Sequence, residues 1–97
     1  VTLHSGCVPT ATYHQEFAFL MNAFVGRSAD DPDVIFNRYS QYLVGSVDLE
    51  GGDREIVYNA KTGERGECLA IFRVDRETNK ITGWRFEGTE DSCIHVP

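Results

Sequence analysis

A cysteine stands at each end of the stretch from Cys68 to Cys93, and the residues between them alternate as a β-hairpin does. Ala70, Phe72 and Val74 take every second place in the first arm, and Trp84 and Phe86 do so in the second. With Glu77-Thr78-Asn79 as a three-residue loop and Asn79 left-handed, Arg76 faces Lys80. That register pairs Ala70 with Phe86, Phe72 with Trp84, Val74 with Thr82 and Cys68 with Gly88. Large apolar residues then meet on one face, as a buried sheet face requires. A slip of one residue would turn Trp84 toward the wetter face of Arg73, Arg85 and Glu87, which also holds Leu69, Ile71 and Ile81. Thr89 to Ser92 can loop back to return Cys93 to Cys68, so a Cys68–Cys93 disulfide is predicted. Disulfides persist in oxidising compartments, which predicts a place outside the cytosol.

A staple matters in so small a chain. The 97 residues make one domain. Closing a loop of about 26 residues stabilises by about 3 kcal/mol, against a total of roughly 5–10 kcal/mol. The six Phe, four Tyr and single Trp supply a packed core.

The charge of −6, with the basic residues scattered, disfavours nucleic acid and a purely electrostatic attachment to lipid. No apolar run approaches the roughly 18 residues that cross a bilayer. Any membrane association is therefore expected only through a lipid anchor. Of the three cysteines, Cys7 is the odd one. It lies in a leader punctuated by Gly6 and Pro9, and lipid attachment, an intermolecular bridge and a free thiol all remain open for it. Residues 1–11 read as a flexible tether and 12–97 as a single α+β domain.

Thr12 to Gln15 has the spacing of a capping box, and Phe17, Leu20, Met21 and Phe24 follow as one helical stripe ending at Gly26. A second helix is predicted from Asp31-Pro32, with Ile35, Tyr39 and Tyr42 as its apolar stripe, Phe36 and Leu43 widening it, fading at Val44-Gly45. Short strands are expected at Ser46–Leu49 and Arg54–Ala60, where Ile56 and Tyr58 alternate with more polar neighbours. The predicted architecture is thus two N-terminal helices packed on a three- to four-stranded antiparallel sheet.

Motifs for chemistry are sparse. His4, His14 and His95 share no metal-binding spacing, and no phosphate loop or nucleophile elbow occurs. No metal or other cofactor is expected. A small secreted ribonuclease would need a histidine, a carboxylate and an arginine, for which His14, Glu16, Arg54 and Glu55 are the available set. The simpler reading places Glu16 and His14 on the wet side of the first helix and Arg54 at a hairpin tip. Trp84 is read as a core residue before a binding hot spot, while Arg73 and Arg85 are the interaction candidates of the wetter face. They are equally placed to pair with Glu67, Glu87 or Asp75, which contributes little.

In architecture the chain resembles small bacterial envelope lipoproteins of the SmpA/OmlA (BamE-like) family. Ser5-Gly6-Cys7 stands where such proteins carry a lipidated cysteine, followed by a tether, two helices and an antiparallel sheet. A related set of proteobacterial lipoproteins shares the pattern of Cys68, Val74-Asp75, Trp84-Arg85-Phe86-Glu87-Gly88 and Cys93. The chain departs from the pattern at His4, where a lipobox has leucine, and at Tyr42 to Gly45, which lacks a proline. The resemblance implies a non-enzymatic periplasmic domain, anchored to the outer membrane through Cys7. Its job would be to bind or support another envelope protein through its sheet face and edge strand, with edge pairing also a route to a homodimer. The alternatives are a secreted inhibitor or immunity protein that blocks an enzyme cleft and, further off, the ribonuclease.

Overall fold

The computed structural model describes residues 10–60 and 67–95. Helix α1 spans Thr10–Asn22 and a single helical turn, α2, spans Ile35–Arg38. A 3-10 turn at Ser40–Tyr42 leads into a four-stranded antiparallel sheet of β1 (Leu43–Asp48), β2 (Arg54–Asn59), β3 (Cys68–Val74) and β4 (Ile81–Gly88). The strands lie side by side in chain order, so β1 and β4 are the edges. The α+β class and the antiparallel sheet agree with expectation.

Period-2 patterning sets the sheet's two faces. On the inner face Ile56, Phe72 and Trp84 stand in one cross-strand row, and Tyr58, Ala70 and Phe86 in the next. α1 lies across this face, burying Phe17 and Met21, and Phe24 follows in the turn after the helix. Phe72 is the centre of the core, with Phe24 and Phe36 edge-on to it at 6.3 and 5.3 Å. Such aromatic pairs stabilise beyond their buried area.

The hairpin register holds at Cys68↔Gly88, Ala70↔Phe86 and Phe72↔Trp84, and Asn79 is left-handed at φ 57°. It changes near the turn, where Val74 faces Ile81 instead of Thr82 because of a bulge at Thr82-Gly83. In a regular strand Ile81 would share the outer face with Arg85. The extra residue turns Ile81 inward, where it is fully buried. Burying an isoleucine contributes about 2 kcal/mol, enough to offset a disturbed ladder bond.

The helices differ more from expectation. α1 starts at Thr10, so Thr12 lies within the helix and does not cap it. Gly26, at φ 91°, gives its N–H to Ile81 O at 2.7 Å and turns the chain onto β4 instead of closing the helix. The second helix is reduced to the four residues of α2. Val34 and Phe36 go inward, a spacing of two that no helix can bury on one side. Asn37 Nδ2 donates to the carbonyls of Ala29 and Asp31 at 2.8 Å each, fixing the preceding loop. Leu43 is already paired with Tyr58 of β2, so the segment read as a helix end becomes the first strand.

The Cys68–Cys93 disulfide is formed, with its Cα atoms 5.2 Å apart and both residues fully buried. It carries the C-terminal segment back over the start of α1, where the His95 N–H donates to Tyr13 O at 3.0 Å. His14 Nδ1 donates to Cys93 O at 2.7 Å, with its ring edge-on to Phe86.

Candidate functional site

Between α1, the α2 turn and the end of β2 lies an open cavity of about 500 Å³. Its floor is apolar, from Leu20 and Met21 of α1, Phe24 of the following turn and Ile94 of the disulfide-held tail. Tyr39, Tyr42 and Tyr58 form the wall, with the Tyr42 and Tyr58 rings edge-on at 6.5 Å. Burial pushes the Tyr58 phenol above its ordinary value, and the nearby Tyr42 and Tyr39 phenols add to the rise. Its hydroxyl therefore stays protonated and able to donate. Asp33 and Arg38 mark the mouth, and the Arg38 guanidinium lies 5.7 Å from the centre of the Tyr39 ring. An apolar interior with a few polar groups at the rim is the general form of a binding cleft.

Exposed apolar side chains continue along β1, Leu43 in the inner-face row of Tyr58 and Val47 on the outer face opposite Glu55. Tyr42 is 51% exposed, Val44 62% and Val47 53%, with Tyr39 and Leu43 also exposed. Clustering of large apolar side chains beside a cavity is a mark of an interaction surface, whereas singly scattered ones are ordinary. By spacing alone Tyr39, Tyr42 and Leu43 read as a helix stripe, whereas the structure leaves them exposed at the start of β1. Leu43-Val44-Gly45-Ser46-Val47, an uncharged β-prone run, was the signal that they flank an edge strand.

The residues singled out from sequence are not gathered at this cavity. Trp84 is half-buried, with its ring edge-on to Phe17 at 5.8 Å and Nε1 donating to Asn22 Oδ1 at 2.7 Å. Arg85, on the outer face, bonds Glu87 at 2.9 Å and reaches across β3 to Glu55 at 3.3 Å. The Glu55 bond first, then that of Glu87, raises its already high guanidinium pKa. The side chain spans the strand holding Ile71, which is buried although it lies on the outer face. Arg73 points to Asp53 at 3.4 Å. Cys7 lies outside the described residues.

His14 and Arg54 do not meet. His14 sits by Phe86 and Cys93, while Arg54 is paired in register with Val74, four residues along β3 from Phe86's partner Ala70. That is about 13 Å along the sheet. Glu55 is held by Arg85 on the outer face, and Glu16 is exposed on α1. Among the described residues no cluster of His, Cys, Asp or Glu is suited to a metal ion, and no helix is long and apolar enough to cross a membrane. No family model, curated protein or solved structure matches the chain.

Proposed function

We propose that this chain is a non-enzymatic domain of the bacterial periplasm, a BamE-like outer-membrane lipoprotein anchored through Cys7, which holds another envelope protein. The observation that carries the binding role is the exposure of Tyr39, Tyr42 and Leu43 at the tyrosine-lined cavity, Leu43 standing opposite Tyr58 of its wall. The Cys68–Cys93 disulfide supports an extracytoplasmic location. Lipid attachment at Cys7 rests on the sequence resemblance.

Site-specific photo-crosslinking in cells of the native host tests the reading, with the crosslinker at Tyr42 and, as control, at Arg76 in the turn between β3 and β4. A discrete adduct at Tyr42 alone, containing an envelope protein by mass spectrometry, is the expected result. An adduct with a secreted or host enzyme whose activity is thereby lost would establish the inhibitor reading instead. Equal labelling at both positions would remove the binding role. The mass of the N-terminal peptide from the membrane fraction tests the anchor, since a diacylated or triacylated Cys7 is required.

A further inference from the structure

We infer that β1 receives an extended basic segment of a partner protein as an added antiparallel strand, and that a bulky apolar side chain just past that segment's C-terminal end enters the tyrosine-lined cavity. This deepens the binding role proposed above and rests on it.

The two sheet edges are treated differently by the fold. At β4, residues 26–29 run alongside the strand's start: Ile81 exchanges hydrogen bonds with Gly26 and Arg27 at 2.7 and 2.9 Å, and Ser28 bridges Lys80. At β1 no described residue pairs with the outer side of the strand. Edge strands are normally blunted by lysine, proline, inward-pointing charge or a bulge. β1 has neither lysine nor proline; its one charge, Asp48, stands opposite Arg54 at the end of the strand, its one irregularity is the register shift between Leu43 and Gly45, and Val44 and Val47 are its most exposed large apolar residues. Six residues offer about 20 Å of open ladder, the length of an ordinary strand.

Direction and charge follow from what lies at the two ends. β1 begins next to Tyr42 and the cavity and ends at Asp48, with Glu50 just beyond. Neither Asp48 nor Glu50 has a cation within ion-pair distance among the described residues. An antiparallel guest therefore enters past these two carboxylates and leaves toward the cavity. Cations suit its start, β-branched residues its middle and an aromatic or large aliphatic side chain its end. A second copy of this chain would bring a further charge of −6 to the same edge, which disfavours it as the guest. Main-chain bonds would supply the affinity, and the cavity and carboxylates the specificity.

The probe is an end-blocked peptide, Lys-Lys-Val-Thr-Val-Thr-Val-Phe, compared with the same sequence reversed. Affinity is measured at physiological ionic strength, with amide hydrogen exchange followed residue by residue. The forward peptide is expected to bind at least about tenfold more tightly than the reverse and to protect amides of Leu43–Asp48. Val44→Lys with Val47→Lys, both exposed positions, should abolish that protection while the domain stays folded by circular dichroism. Equal affinity of the two peptides would reduce the attraction to net charge and overturn the proposal. So would millimolar forward peptide that leaves β1 unprotected, or β1 protection that rises with protein concentration alone as the sedimenting mass doubles. If the peptide fails while Tyr42 still crosslinks one envelope protein in cells, strand addition is wrong and the binding role stands.

Discussion

Trp84 Nε1 donates a 2.7 Å hydrogen bond to Asn22 Oδ1, so the last residue of α1 is fastened to the middle of edge strand β4. The ring also packs edge-on against Phe17, which places both the apolar and the polar part of the indole. Because the residue is half-buried, Trp84→Ala is expected to cost about 2–3 kcal/mol in urea unfolding, less than the 3–5 typical of a fully buried tryptophan. Asn22→Ala should cost about 1 kcal/mol. The double variant should be less destabilised than the sum by about 0.5–1 kcal/mol. Strict additivity would show that the bond contributes nothing.

The disulfide holds part of the cavity lining, Ile94 and His95, in place. Peptide mapping without reductant should recover Cys68 and Cys93 linked. The Cys68→Ala, Cys93→Ala variant should lose about 3 kcal/mol. It should also lose exchange protection at the amides of Cys93 and His95, which bond Thr89 O and Tyr13 O. Loss of stability with the tail still protected would separate the staple's effect on the unfolded chain from its role in the cavity lining.

Asp75 organises the turn between β3 and β4. Its carboxylate accepts from the Thr78 amide at 2.8 Å, the Thr78 hydroxyl at 3.0 Å and the Glu77 amide at 3.1 Å, and these bonds, the Thr78 amide foremost, hold its pKa below the ordinary aspartate value. A folded value below the unfolded one means that the contribution is complete above the unfolded pKa. It is lost as pH falls through the folded pKa. NMR titration of the Asp75 carboxyl carbon should give a midpoint below that of an unstructured aspartate, with the Thr78 amide signal moving in step. A midpoint at or above the ordinary value would show that these bonds do not persist in solution.

Gly88 and Gly83 both lie in β4, yet they should respond oppositely to alanine. Gly88 has φ 137°, and a Cβ there would collide with the Glu67 carbonyl oxygen and stand 2.7 Å from Ser92 Oγ. Gly88→Ala is expected to cost about 2 kcal/mol or more, since both backbone and neighbours resist it. Gly83 has ordinary φ and open space around its Cα, so Gly83→Ala should change stability by less than about 0.5 kcal/mol. Thermal melts of the two variants decide it, and similar melting temperatures would contradict the close approach at Gly88.

Legibility followed the range of the physics involved. The pairing of Phe72 with Trp84 and of Cys68 with Gly88, the left-handed Asn79 and the disulfide were readable because a hairpin is local and its period of two leaves few registers open. The bulge at Thr82-Gly83 was not, because Ile81 turns inward only once Val74 and the segment after α1 are there to cover it. Tyr39 and Tyr42 fit a helical stripe by spacing alone. They became the wall of an open cavity because Leu43 found Tyr58 as a strand partner. The β-prone run Leu43–Val47 beside them admits a strand, but the partner that decides it, Tyr58, lies fifteen residues further on.

By itself the sequence determined the α+β class, the β3–β4 hairpin, the Cys68–Cys93 closure and the acidic, scattered charge, all consequences of local periodicity, short-range turn chemistry and composition. Only the tertiary structure decided how far the second helix extends, that residues 26–29 bridge the start of β4, and that apolar residues gather around a cavity beside β1. Those outcomes depend on competition among distant segments for the same inner face of the sheet, and each segment's pattern is compatible with more than one winner.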